Sequence, residues 1–141
     1  MKKKNIWEPA ALIAGIILTA GVLTVFRACG PKEDGTFMHC HTVQTDAALL
    51  GVTTVILALI AMLVKNRRLA AALHLAAAVL ALTAILLPGT ILPMCMMNTM
   101  RCHSVMKPFV RLLGALLLVL HGVSAAGALR EGVSGGADRK A

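Results

Sequence analysis

Four cysteines hold most of the chemistry this chain can offer, and their setting repeats. The first group reads Cys29, then Met38-His39-Cys40-His41; the second reads Cys95, then Met100-Arg101-Cys102-His103. In each, Met-x-Cys-His follows a lone upstream Cys, at 11 residues in the first group and 7 in the second. Three chemistries use such residues. Outside the cytoplasm, Cys pairs persist as disulfides, so Cys29, Cys40, Cys95 and Cys102 are candidates for two structural bonds, with three possible connectivities. A thiol beside an imidazole gains thiolate character and can exchange disulfides, which makes Cys40 and Cys102 candidate nucleophiles activated by His41 and His103. Soft sulfur with imidazole also suits Cu(I), Zn or haem iron. The candidate metal set is Cys40, His41, Cys102, His103, Met38 and Met100. Spacing argues against the standard form of the last two: the Cys-x-x-Cys of redox pairs is absent from both groups, as is the Cys-x-x-Cys-His of covalent haem. A ligand-free cap remains open.

The elements that position these residues are apolar. Of the 141 residues, 58% are hydrophobic, 14% are charged and 3% are aromatic, with no Tyr. Soluble domains average about 45–50% apolar and about 25% charged. Four runs, 9–26, 47–64, 69–87 and 109–129, each hold at least 18 residues, and the one charge among them is Arg111 near an end. The expectation is an all-α integral membrane four-helix bundle. A membrane β-barrel would need alternating strands and aromatic girdles. Nucleic acid is excluded as a partner despite the net charge of +8, because no basic stripe is interleaved with aromatics. The lipid bilayer is the partner that composition requires.

Positive charge sets the orientation. Lys2, Lys3 and Lys4 precede the first run, Lys65, Arg67 and Arg68 join the second to the third, and Arg130, Arg139 and Lys140 follow the fourth. These segments belong on the cytoplasmic side, with both termini, and the two cysteine loops face outward. A lipid-modified Cys29 after a cleaved leader is a poor reading, because the run is long and Arg27 stands close before the Cys. Residues 1–130 form a single domain of two parallel helical-hairpin repeats, and 131–141, with Gly132, Gly135 and Gly136, form a disordered cytoplasmic tail.

Small residues in the runs, among them Gly15, Gly21, Ala77, Ala81 and Gly114, suit close helix contact in lipid. His74 and His121 lie inside runs three and four. Their bland role is a hydrogen-bonded neutral imidazole; their sharper one is a bis-His haem, with His41 and His103 as an outer pair in a membrane electron carrier. No other ionisable group lies deep enough for an independent ion pathway, and no Ser, His and carboxylate set suggests a hydrolase.

Four spans with a Cys pair in each outward loop resemble the architecture of DsbB, the quinone-linked disulfide-generating protein, which implies a thiol–disulfide oxidoreductase. The two Met-x-Cys-His elements, Cys29, Cys95 and the chain length resemble the bacterial membrane family catalogued as domain of unknown function 4418, over about residues 5–130. That resemblance implies a bacterial inner-membrane protein whose Cys-His elements are functional, and a partner among ATP-driven transporters of the FtsX-like class. Taken together, the expected role is an accessory or sensing subunit with a Cys/His/Met cap, more plausibly non-enzymatic; the oxidoreductase and the haem carrier are the alternatives.

Overall fold

The structure is a computed structural model and describes residues 6–138. Four helices follow one another: α1 (Trp7–Leu23), α2 (His39–Leu63), α3 (Arg67–Leu86) and α4 (Lys107–Asp138), with a π-helical turn at Cys102–Met106 leading into α4. The described residues hold no β-strand, only one isolated bridge between Pro88 and Leu92. Three helical stretches are long and apolar enough to cross a membrane: His39–Leu63, Arg67–Leu86 and Cys102–Ser134. The fourth, α1, is apolar but has 17 residues, a rise of about 26 Å at roughly 1.5 Å per residue.

α1 ends three residues before the apolar run does. Beyond Leu23 the chain tightens into a turn in which Thr24 Oγ1 donates to the Ala20 carbonyl at 2.6 Å and the Phe26 amide donates to Gly21 at 2.8 Å. α2 starts eight residues before its apolar run. Its extra turns bury Cys40, Val43 and Gln44 in the same rows as Ala47, Ala48 and Gly51, at the three- and four-residue spacing of one helix face. Cys40 and Cys102 therefore sit on helical backbone, not in loops as the run boundaries suggest, while Cys29 and Cys95 do lie in loops.

Each helix packs against two others in a ring: α1 on α2 and α4, and α3 on α2 and α4. On α3, side-chain size separates the inward from the outward face. α3 buries Ala70, Ala71, His74, Ala77, Ala78, Ala81 and Ala84 and exposes Leu69, Leu75, Val79, Leu82 and Leu86. A water-soluble helix would bury its large residues; on α3 the small ones face inward and the large ones outward, the arrangement that suits helix association in lipid. Contact is closest at glycines. A Cβ on Gly15 would stand 2.7 Å from Val55 Cγ2, and one on Gly114 would stand 2.8 Å from Ile85 Cγ1. Gly89, at φ +85°, makes the turn after α3, where its amide donates to Leu92 at 3.0 Å.

The C-terminal segment departs from the expected disordered tail. α4 continues as helix through Asp138, and only 139–141 lie outside the described residues. The extension adds one hydrogen bond per residue to an already nucleated helix, which offsets the glycine cost. Glu131 also pairs with Arg67 at 3.1 Å, tying the extension to the start of α3.

Candidate functional site

The four cysteines meet at one end of the bundle, where the α1–α2 and α3–α4 connections fold over the helix ends. Cys40 is fixed by the first turn of α2 and Cys102 by the π-helical turn, and neither is exposed. The wider π turn closes where the Lys107 amide donates to the Cys102 carbonyl, and it buries Cys102 and Met106 on one side. Cys29 is carried by the loop after α1. That loop is held by Gln44, whose Oε1 accepts the Ala28 amide at 2.8 Å. Cys95 is carried by the other loop, where His103 Nε2–H donates to the Cys95 carbonyl at 2.7 Å. Cys29 and Cys95 are half-buried.

Cys40 and Cys95 form a disulfide between Cα atoms 6.3 Å apart and 55 residues apart in sequence. Cys29 and Cys102 are thiols with Sγ atoms 3.7 Å apart. The sulfurs of Cys40, Cys95 and Cys102 all lie within 4.8 Å of one another, so the two pairs touch through Cys102. The pairing crosses the hairpins in a regular way. The upstream Cys of each loop faces the downstream Cys of the other.

Each end of this row of sulfurs opens to the surface. Beside Cys29 is a cleft of about 250 Å³ lined by Arg27, Phe37, His41 and Gln44. Beside Cys95 is a groove of about 440 Å³ lined by Met38, Met96, Met97 and Met100, with Lys32 and His39. Met38 Sδ lies 3.9 Å from Cys95 Sγ. Met96 is fully exposed at the rim.

Of the metal set expected from the sequence, Cys40, Cys102 and Met38 converge on the cluster, with Met100 on the groove wall. The two imidazoles do not join them. His41 packs on the Phe37 ring at a centroid distance of 4.2 Å, and His103 is engaged by the Cys95 carbonyl. Cys95 takes their place in the trio. Gln44 is the residue that sequence reasoning missed. Its signal was present: a polar side chain one helical turn after Cys40, in line with a row of small buried residues.

A second constellation lies in the bundle interior. His74 of α3 and His121 of α4 are buried, with Nδ1 atoms 3.1 Å apart and ring centroids 5.4 Å apart. One ring donates Nδ1–H and the other accepts. Their Nε2 atoms and the Ser124 hydroxyl are buried without a hydrogen-bond partner. A bis-His haem between these residues does not fit, because the rings touch directly and leave no gap for a porphyrin. The outer pair is likewise not assembled, since His41 and His103 are turned to separate partners.

The model of a family described as Domain of unknown function (DUF4418) matches residues 11–126, a stretch that holds all four cysteines and both buried histidines. No curated protein and no solved structure matches the chain.

Proposed function

The chain belongs to the family described as Domain of unknown function (DUF4418), and from the geometry of its own residues we propose that it is a membrane thiol–disulfide exchange protein. The observation that carries this reading is the position of Cys102, whose sulfur touches the Cys29 thiol and lies within 4.8 Å of both sulfurs of the Cys40–Cys95 bond. A purely structural pair of disulfides has no need for two bonds in contact. Exchange does, because a thiolate must reach the disulfide sulfur it attacks.

The internal step is balanced. Cys102 thiolate attacks one sulfur of the Cys40–Cys95 bond; a new S–S bond forms to Cys102 and the other sulfur leaves as thiolate. Cys29 then attacks Cys102, releasing the second thiolate. The Cys29/Cys102 pair is oxidised to a disulfide, the Cys40/Cys95 pair is reduced by the same two electrons, and two protons pass between them. Half-exposed Cys29 and Cys95 are the sulfurs within reach of a partner's thiols. A partner disulfide is thus taken at one opening and delivered at the other, with no net oxidation by the protein itself.

In this reading all four helices span the cytoplasmic membrane of a bacterium, α1 as the shortest. Both termini lie inside and the sulfur cluster outside, where disulfides persist. The charge distribution supports it, since Arg67, Arg68 and Arg130 gather at the end opposite the cysteines. The crossed pairing of cysteines supports two parallel hairpin repeats.

Disulfide mapping of Cys29→Ala in membranes tests the proposal. Exchange predicts that Cys102, deprived of the thiol that resolves it, is found bonded to Cys40 or Cys95 in a measurable fraction of chains, with the displaced cysteine as a free thiol. A Cys102 that stays a free thiol in every chain, beside an intact Cys40–Cys95 bond, overturns the reading.

A further inference from the structure

The sulfurs that exchange when oxidised form a different kind of site when reduced. We propose that the reduced cluster binds one Cu(I) ion through the Sγ atoms of Cys40, Cys95 and Cys102, with the Met38 thioether as the adjacent fourth sulfur. This rests on the exchange reading in one respect: in the cell, a partner dithiol must open the Cys40–Cys95 bond, becoming a disulfide itself and leaving two thiols behind. Each thiol that then binds copper releases its proton to water.

Ligand type selects the ion. The three sulfurs lie within 4.8 Å of one another, close enough to converge on one ion after small rotations. Two further sulfurs adjoin the trio: Cys29 Sγ, 3.7 Å from Cys102 Sγ, and Met38 Sδ, 3.9 Å from Cys95 Sγ. Thiolate with thioether is a soft set that favours Cu(I), whereas structural zinc takes four thiolate or imidazole ligands in a closed tetrahedron. The imidazoles zinc would add are committed elsewhere: His103 is held by the Cys95 carbonyl and His41 by the Phe37 ring. Cys29 adjoins Cys102 but does not lie within 4.8 Å of all three sulfurs, whereas a closed tetrahedron needs its four ligands around one point.

The groove supplies the second observation. It leads from the surface to Cys95, and four of its lining residues are methionines: Met38, Met96, Met97 and Met100. Met96 and Met97 are largely exposed to the surroundings, with no packing role that would explain an apolar side chain there. Thioethers on the walls of a path ending at a thiolate give Cu(I) successive ligands that it can exchange without being released to water. Lys32 on the same wall offsets the negative charge that three thiolates and one Cu(I) would carry.

The full-length protein in detergent, reduced anaerobically and freed of reductant, is titrated with Cu(I) against a colorimetric Cu(I) chelator. The expected result is one Cu(I) per chain in the reduced form and none after oxidation to two disulfides, with excess Zn(II) failing to displace it. Cys29→Ser keeps the stoichiometry. Met38→Leu keeps it with affinity lowered roughly tenfold, and Cys95→Ser loses binding. A reduced protein that takes no Cu(I), or one whose copper is displaced by Zn(II), overturns the inference. So does loss of binding in Cys29→Ser with retention in Cys95→Ser. Re-pairing of Cys102 in metal-free Cys29→Ala, seen together with a reduced wild-type protein that ignores Cu(I), sinks the copper site alone. Copper binding without re-pairing sinks the exchange reading alone.

Discussion

The sulfur cluster at the end of the bundle and the histidine pair within it are both built from residues far apart in sequence, yet they are held in opposite ways. The cluster joins the two hairpins: Cys40 to Cys95, and Cys29 beside Cys102. It sits under loops and opens to the surface at both ends. The histidine pair joins α3 to α4 within one hairpin, buried between them, with its outer nitrogens unpartnered. Access separates them. A group that must meet a partner or an ion has to lie where loops can part. A buried polar pair instead costs stability for each atom left without a partner.

The largest effect expected from breaking this contrast is at the disulfide. Closing a chain segment of 55 residues contributes about 4 kcal/mol by loop entropy. Cys40→Ser and Cys95→Ser should each lower the unfolding free energy in detergent by an amount of that order, and Cys29→Ser should leave it close to the parent. Equal losses from Cys29→Ser and Cys95→Ser would mean that both pairs are permanent bonds.

Gly114 lies between the two regions, where any Cβ would press on Ile85 Cγ1 at 2.8 Å and on the Ala81 carbonyl at 3.3 Å. Gly114→Leu should cost about 3 kcal/mol by overpacking α3 against α4. The Cys40–Cys95 bond should still form, as non-reducing mass analysis would reveal. Its loss would show that the two regions depend on one another.

Removing one histidine leaves the other ring with a further unpaired nitrogen. His74→Leu and His121→Leu should each cost about 2 kcal/mol, read from unfolding in mixed detergent. The double variant should be less destabilised than the sum, because both polar groups are then gone. Strict additivity would mean that the imidazoles do not bond to each other.

The smallest effect belongs to the far end. Arg67 and Glu131 are both partly exposed, and Glu131→Gln should change stability by about 0.5 kcal/mol or less. A larger loss would show that the helical extension beyond Arg130 anchors the bundle.

Much of the fold was legible because lipid imposes a simple rule. Long runs without charge have to be helices, since every backbone group must find a partner within its own segment. That logic located α3 to within two residues at each end. It misjudged the start of α2, because His39, Cys40, His41 and Gln44 are polar or reactive and break the hydropathy run without breaking the helix. It also ended α4 too early, because glycines and charges at 130–138 read as a tail where a helix already nucleated simply continues. At the site, the residue types and the two Met-x-Cys-His elements were visible, and their partners were not. Cys40 and Cys102 stand next to His41 and His103 in sequence, which suggested Cys-His couples. On a helix, however, neighbouring side chains point about 100° apart, so a Cys that faces inward turns its following His away.

The sequence by itself determined that this chain is helical, apolar enough for a bilayer, and a carrier of reactive sulfur in two similar settings. Those properties are local: composition, run length and residue type survive without any knowledge of what touches what. Only the tertiary structure decided that the two settings close one cluster rather than two, that Cys95 and not an imidazole joins Cys40 and Cys102, and that His74 bonds directly to His121. Each of those outcomes depends on which face of one helix meets which face of another. That is fixed by where alanine and glycine allow close approach, and a distance of 3.7 Å between residues 29 and 102 has no counterpart in their separation along the chain.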